Sequence, residues 1–310
     1  MILSIENLVK RYGDFLALDN VNMKIGEGEI VGFLGPNGAG KTTTINTILG
    51  LSKIDSGEIK VFGKNLKESG IEIKRNIGIV PQEIAIYDDL TAYENVSYFG
   101  SLYGIRGNLL KERSLEALKF TGLIDKEKDF PKKFSGGMKR RLNIACAIVH
   151  HPKLIIMDEP TVGIDPQSRK HILNSVKELN KMGSTVIYTS HYMEEVEEIC
   201  TDIIIMDLGR VIAKGTKEEL KDLVAVEERV KIEVSSLSFT LIEKIKGING
   251  VKECSIEGNE LFIISKKGSG NLGKIIDAIV ESGSEVVSVN MEKPTLESVF
   301  LTLTGKKLRD

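Results

Sequence analysis

Residues 35–43 read Gly35-Pro36-Asn37-Gly38-Ala39-Gly40-Lys41-Thr42-Thr43, a match to G-x-x-x-x-G-K-[ST], the loop that wraps nucleotide phosphates. Each residue type has a physical job there. Gly35, Gly38 and Gly40, with Pro36, Asn37 and Ala39 between them, let the backbone turn tightly and bring N–H groups close to an anion. Lys41 supplies a point charge for the β- and γ-phosphates, and the Thr42 hydroxyl can ligate Mg²⁺. The flanks agree. Ile30-Val31-Gly32-Phe33-Leu34 is an apolar run suited to a buried strand, and Ile45, Ile48 and Leu49 keep helical spacing after Thr43. A helix starting at Thr43 would aim its positive end at the phosphates. A glycine-rich turn matches this pattern by accident in about one in a hundred chains of this length, at a glycine usage of roughly 7%. The sequence therefore predicts nucleotide binding.

A second segment completes that chemistry. Leu154-Ile155-Ile156-Met157-Asp158 is an apolar strand ending in a carboxylate, followed at once by Glu159-Pro160-Thr161. In phosphate-loop enzymes such a strand places an Asp near Mg²⁺, and a second carboxylate just after it can polarise an attacking water. Many strands end in solvated acids, so the pair gains its meaning from the phosphate loop upstream.

Four further segments resemble the ATP-binding cassette (ABC) ATPases. Phe134-Ser135-Gly136-Gly137-Met138 is similar to the family signature, usually written LSGGQ, and precedes an amphipathic stretch, Lys139-Arg140-Arg141-Leu142-Asn143-Ile144. Small residues at such a helix entrance let backbone N–H groups and the Ser135 hydroxyl meet a γ-phosphate. Gln82, after Ile77-Gly78-Ile79-Val80, resembles the switch glutamine, and Gly163-Ile164-Asp165 the loop that communicates between paired sites. His191, after Thr185-Val186-Ile187-Tyr188-Thr189-Ser190, resembles the switch histidine, and Tyr12, in Arg11-Tyr12-Gly13, the aromatic that stacks on adenine. The resemblance spans roughly residues 1–220. It implies ATP as ligand, Mg²⁺ held by Thr42, Gln82 and Asp158, and catalytic roles for Glu159, His191 and Gln82. The phosphate loop, Tyr12, Ser135, Gly136, Gly137 and Asp165 would contact nucleotide. One departure stands out: Met138 cannot supply the side-chain amide of the usual Gln, although the Ser-Gly-Gly core is intact. Met at this position resembles a drug- and ion-exporter branch of the family.

The resemblance implies an α/β phosphate-loop fold with a β-rich N-terminal part. Residues 1–224 would form the nucleotide-binding domain, with a helical subdomain at about 85–150. Strand candidates lie at 16–21 and 57–63, and Thr91 with Glu94 forms a capping box opening a helix. Tyr87, Tyr93, Tyr98, Phe99 and Tyr103 crowd together; Phe99 and Tyr103, at i and i+4, are expected in the core. The others are candidates for a docking surface. Thr216 and Glu219 make another capping box, and 224–228 reads as a link to a second unit, 229–310. There the pattern is strand 229–234, helix 239–245, strands 251–256 and 261–264, helix 271–282 and strand 284–290. That β-α-β-β-α-β order is ferredoxin-like, and the unit carries no phosphate loop. Its tail, 294–305, resembles the end of exporter ATPase subunits with this appendage.

The chain has 310 residues and a formal net charge of −2, which gives no electrostatic argument for nucleic acid or anionic membrane as a partner. No apolar run approaches the roughly 18–20 residues that span a bilayer, and 1–6 lack the pattern of a signal peptide. Cys146, Cys200 and Cys254 are isolated, odd in number and without C-x-x-C spacing, as in a reducing cytoplasm. The leading expectation is the ATP-hydrolysing subunit of an exporter, with a separate permease supplying the pore. Two copies would sandwich ATP head to tail, on the cytoplasmic face of the cell membrane. Two alternatives stay open: a soluble ABC ATPase acting on nucleic acid or ribosome, and a slow nucleotide-gated regulator. Against the first, only 94 residues separate Lys41 from Ser135, without heptads or C-x-x-C.

Overall fold

The computed structural model describes residues 1–224, 227–292 and 294–305. Two compact units emerge, one built on Met1–Lys217 and the other on Glu218–Thr302. The expected link at 224–228 includes Ala225 and Val226, which lie outside the described residues, as do 306–310.

The first unit opens with an antiparallel hairpin, β1 (Leu3–Tyr12) and β2 (Phe15–Ile25). The wholly buried β3 (Ile30–Leu34) feeds α1 (Lys41–Ile48) through the phosphate loop. This helix starts two residues earlier than its apolar spacing suggests, because Gly40 caps it in the left-handed region (φ 103°) and turns Lys41 directly into the first turn. β4 (Ser56–Val61) and β5 (Lys64–Asn65) follow and complete a sheet of order β2-β1-β4-β5. Then come α2 (Leu66–Lys74), β6 (Ile77–Val80) and three long helices, α3 (Ala92–Leu102), α4 (Gly107–Phe120) and α5 (Gly136–Ile148). The Thr91–Glu94 capping box forms as expected, with both reciprocal bonds present. The interior stripe of α3 is Ala92, Asn95, Val96 and Gly100, which leaves Phe99 at its margin. Phe99 is therefore half-buried, 5.7 Å from the Tyr98 ring, instead of fully in the core. Tyr103 is also half-buried, stacked on His150 at 3.5 Å and donating to the Ile77 carbonyl.

From there strands and helices alternate: β7 (Leu154–Met157), α6 (Pro166–Lys181), β8 (Thr185–Tyr188), α7 (Met193–Ile199), β9 (Asp202–Asp207) and β10 (Arg210–Gly215). The second sheet runs β10-β9-β3-β8-β7-β6, parallel except for β10 at its edge. Near-continuous apolar strands suit a parallel sheet covered on both faces. Gly32, Tyr188, Met157 and Val80 form one row across four of its strands. Two residues beyond that row the chain reaches Leu34, Ser190, Glu159 and Gln82. The segments singled out in the sequence thus leave the sheet along one carboxyl edge, where open α/β sheets bind ligands. A single core including Leu3, Ile5, Phe33, Ile156 and Ile204 joins the two sheets.

The second unit takes in α8 (Lys217–Val224) from Glu218 on and runs β11 (Glu227–Val234), α9 (Phe239–Lys246), β12 (Val251–Glu257), β13 (Glu260–Lys266), α10 (Leu272–Glu281), β14 (Val286–Glu292) and α11 (Leu296–Thr304) up to Thr302. Its sheet is antiparallel with order β12-β13-β11-β14, and its core draws on Val230, Ile232, Leu261, Ile263, Leu241, Ile275 and Ile279. β14 begins two residues later than the pattern 284–290 suggests. Ser284 is buried and bonded to Ser236, which holds the approach to the strand, and sheet pairing starts at Val286.

Candidate active site

The phosphate loop leads into the start of α1, where backbone donors face outward, while the Ala39 N–H turns back to the Pro36 carbonyl at 3.1 Å. The first-turn amides of a helix have no intrahelical acceptor, and α1 has no side-chain cap at its start. Its opening residues, Lys41, Thr42 and Thr43, therefore present N–H groups where an anion would sit. Gly40 is required at the turn. A Cβ there would meet Leu18 Cδ2 at 2.9 Å and the Ala17 carbonyl at 3.0 Å, so the hairpin closes on the loop. Asn37 and Gly38 are exposed at the crown, while Gly35, Pro36 and Ala39 are buried. Lys41 is buried too, with Nζ donating to the Gly35 carbonyl at 2.5 Å and to Pro36 at 3.2 Å. Burial lowers its pKa below the ordinary lysine value, and the Glu159 and Asp158 carboxylates act against that. The Thr42 side chain is open to solvent and Thr43 is half-buried.

At the end of β7 the chain presents Asp158 and Glu159 together. Glu159 adopts φ 48°, a left-handed conformation uncommon for a non-glycine residue. One hydroxyl secures both residues: Thr189 Oγ1 donates to Asp158 Oδ1 at 2.7 Å and accepts the Glu159 N–H at 2.8 Å. The Glu159 side chain is only 10% exposed, and His191 Nε2 lies 2.6 Å from its Oε1. Close pairing offsets the cost of burying that carboxylate. The structure thus brings Asp158, Glu159 and His191 together, with Lys41 near enough to feel both carboxylates.

Gln82 lies exposed on the loop after β6, and its backbone is clamped. Buried Arg140 donates to the carbonyls of Pro81 (2.6 Å) and Gln82 (2.5 Å), and Asn143 accepts the Ala85 N–H at 2.6 Å. Farther along, Asn95 accepts from Tyr87 N and donates to the carbonyls of Tyr87, Leu90 and Thr91. Arg140 and Asn143 stand on α5, the helix that Ser135 opens by accepting the Met138 N–H at 3.2 Å. Bound this way, the Ser135 oxygen keeps its hydroxyl proton free to donate. Ser135 and Gly136 are exposed, but Gly137 is buried. A Cβ on Gly137 would fall 2.2 Å from Ser168 Oγ and 3.2 Å from Asp165 Oδ2, so only glycine lets the starts of α5 and α6 approach. Asp165 caps α6, accepting the Ser168 N–H at 2.9 Å, and that bond holds its carboxyl below the ordinary range. Tyr12 stands apart at the end of β1, half exposed, with its hydroxyl 3.3 Å from Ser52 Oγ and Lys10 Nζ 4.7 Å from its ring centre.

Thr189, Arg140, Asn143 and Asn95 escaped the sequence reading. Their signal is a polar side chain inside an apolar or helical run, which alone does not tell a buried clamp from a surface residue.

A family model described as ABC transporter matches residues 18–162. The linearmycin resistance ATP-binding protein LnrL of Bacillus subtilis is 44% identical over 313 residues, covering 100% of both chains. Nod factor export ATP-binding protein I of Cupriavidus metallidurans is 34% identical, covering 100% of this chain and 99% of that protein. A solved dimeric ATP-binding cassette in a post-hydrolysis state, bound to ADP and Pi, superposes with a TM-score of 0.63 at 31% identity. The match covers 69% of this chain and 98% of that one.

The Thr189 bridge carries a direct expectation. Thr189→Val keeps the shape but leaves the Glu159 N–H without its acceptor, a loss of about 1–3 kcal/mol. Urea unfolding should show that loss and steady-state assays a lower ATPase rate, while Thr189→Ser retains both; an unchanged valine variant would refute the bridge.

Proposed function

The chain belongs to the ABC transporter family and is an ATPase, and from that premise we propose that it drives an exporter whose pore is a separate permease subunit. Relatives named for drug resistance and for Nod factor export, matching end to end, support the export direction. Among the described residues no helix is long and apolar enough to cross a membrane; in this reading the pore is a separate chain. The subunit would sit in the cytoplasm against the membrane through that permease. Exposed Tyr87 and Tyr98, just after the Gln82 loop, are the candidate docking aromatics.

The 2.6 Å contact of His191 with Glu159 carries the assignment of roles. Glu159 is the group that would polarise the attacking water, and His191 orients it and would meet the γ-phosphate. Lys41 and the amides of Gly38, Gly40, Lys41, Thr42 and Thr43 would bind the triphosphate, the Ala39 N–H being bonded to Pro36. Asp158, Thr42 and Gln82 offer only hard oxygen donors, which fit Mg²⁺. That ion takes one or two carboxylates plus phosphate oxygens. When bound, Mg²⁺ would neutralise charge on the phosphates. Ser135, Gly136, Gly137 and Asp165 would serve the ATP held by a second copy. Tyr12, with Lys10 Nζ 4.7 Å from its ring centre, would stack on adenine. The second unit has its own core and no nucleotide motif; we assign it to pairing or permease coupling.

Three measurements test this reading. Glu159→Gln should spare ATP binding yet slow hydrolysis by roughly 10²-fold or more, the scale of general-base loss. ATP should then trap a dimer visible by size-exclusion chromatography, and near-normal turnover would rule Glu159 out. Tyr12→Ala should weaken nucleotide binding by about 1–3 kcal/mol, the scale of base–aromatic stacking, with Tyr12→Phe nearly silent; unchanged affinity for the alanine variant would make Tyr12 a turn aromatic. A chain ending before Glu227 that stays folded should still bind ATP while its ATPase rate shifts to higher protein concentration. Loss of nucleotide binding in that folded truncate would move part of the site into the second unit.

A further inference from the structure

Behind the Glu159–His191 pair lies a second carboxylate with an unusual set of partners. Glu195, on α7, is 3% exposed. Its Oε2 accepts three hydroxyls: Thr161 at 2.8 Å, Tyr188 at 2.8 Å and Ser190 at 2.7 Å. Its Oε1 lies 3.3 Å from Arg169 Nε, a charge contact outside hydrogen-bond geometry. Ser190 Oγ also accepts the Tyr192 N–H at 3.0 Å, and the Arg169 guanidinium sits 4.0 Å over the Tyr192 ring. Bonds to an ionised acceptor are shorter and stronger than neutral ones. Three of them plus a guanidinium compensate a charge that would otherwise be costly to bury.

The position of each partner gives the cluster its meaning. Thr161 is two residues past Glu159, and Ser190 immediately precedes His191. Tyr188 precedes Thr189, which secures Asp158 and the Glu159 backbone. Arg169 lies on α6, its N–H bonded to the Asp165 carbonyl at 2.9 Å. One carboxylate therefore touches the segments on both sides of the His191–Glu159 contact and the helix that Asp165 opens.

We propose that Glu195 is a positioning residue for ATP hydrolysis: through Thr161, Ser190 and Tyr188 it holds the Glu159 and His191 segments in register. Its buried carboxylate is held by protein groups, Thr161, Tyr188, Ser190 and Arg169. Its effect runs through the placement of His191 against Glu159, where about 1 Å of misplacement can cost 10²-fold in rate. The inference rests on the roles assigned to those two residues.

The test uses the full-length chain in steady-state and single-turnover phosphate release, with nucleotide affinity measured in parallel. Glu195→Gln keeps size and one acceptor but loses the charge. It should lower kcat by about 10- to 100-fold, the scale for groups that orient a catalytic residue, with KM and ATP affinity within about twofold. Adding Glu195→Gln to His191→Ala should cost little beyond His191→Ala alone, because coupled sites are not additive. A wild-type kcat in Glu195→Gln, or a double variant that loses the product of the two single effects, would overturn the proposal. Should Glu195→Gln not fold, Ser190→Ala removes one donor beside His191 and should show a smaller kcat loss with the same non-additivity. Glu159→Gln separates the two readings. If it hydrolyses ATP normally, the site assignment falls and this inference with it. If it is inactive while Glu195→Gln is normal, only the role of Glu195 falls.

Discussion

Parallel pairing of β7 with β8, in the register that sets Met157 beside Tyr188, is the constraint on which the site depends. With that register the next residues, Asp158 and Thr189, leave the sheet side by side, and one hydroxyl reaches both the Asp158 carboxylate and the Glu159 amide. The residues after those, Glu159 and Ser190, carry the chain to the His191 contact. A slip of one residue would turn the Thr189 side chain to the opposite face of the sheet and separate the hydroxyl from both groups. β3 joins the same row through Gly32 and Tyr188, so the phosphate loop emerges at the same edge.

Around this edge the interior is polar and mostly paired. Glu195, Thr161, Ser190, Arg140, Asn143 and Asn95 are all buried and hydrogen-bonded, with Glu195 Oε1 and Arg140 Nε left outside those bonds. Such networks are expensive when half-satisfied and rigid when complete. Rigidity has a use here, because charge stabilisation in catalysis works through groups already in place. α5 extends the same logic. Its first residue side presents the signature, while Arg140 and Asn143 one to two turns on hold the Gln82 loop. The segment assigned to a partner's nucleotide and the one assigned to its own are thereby tied to the same helix by hydrogen bonds.

The second unit is built on different terms. Strand order β12-β13-β11-β14 and two helices packed on one face give it a small core of its own, reached by period-two alternation in β11 and β13. Its other sheet face carries charged and aromatic side chains such as Lys231, paired with Glu260 and lying over Phe262. Exposed surface pairs of this kind contribute little to stability. The apolar face accounts for the folding of this unit.

The local elements were legible in the amino-acid order alone. A glycine run before Lys41, an apolar strand ending in Asp158-Glu159, Ser-Gly-Gly at 135–137 and the Thr91–Glu94 cap each depend on neighbours within a few residues, where sequence and physical contact coincide. The β-α-β-β-α-β rhythm of the second unit was legible for the same reason, since strand and helix periods are local. What tertiary structure decided was partnership across distance. That Gly137 is small because Ser168 presses on it, that Thr189 serves Asp158, that Arg140 grips the Gln82 loop and that Glu195 gathers three hydroxyls all join residues far apart in the chain. Burial and pairing of a polar side chain are set by which elements pack against it, and no local pattern encodes that choice.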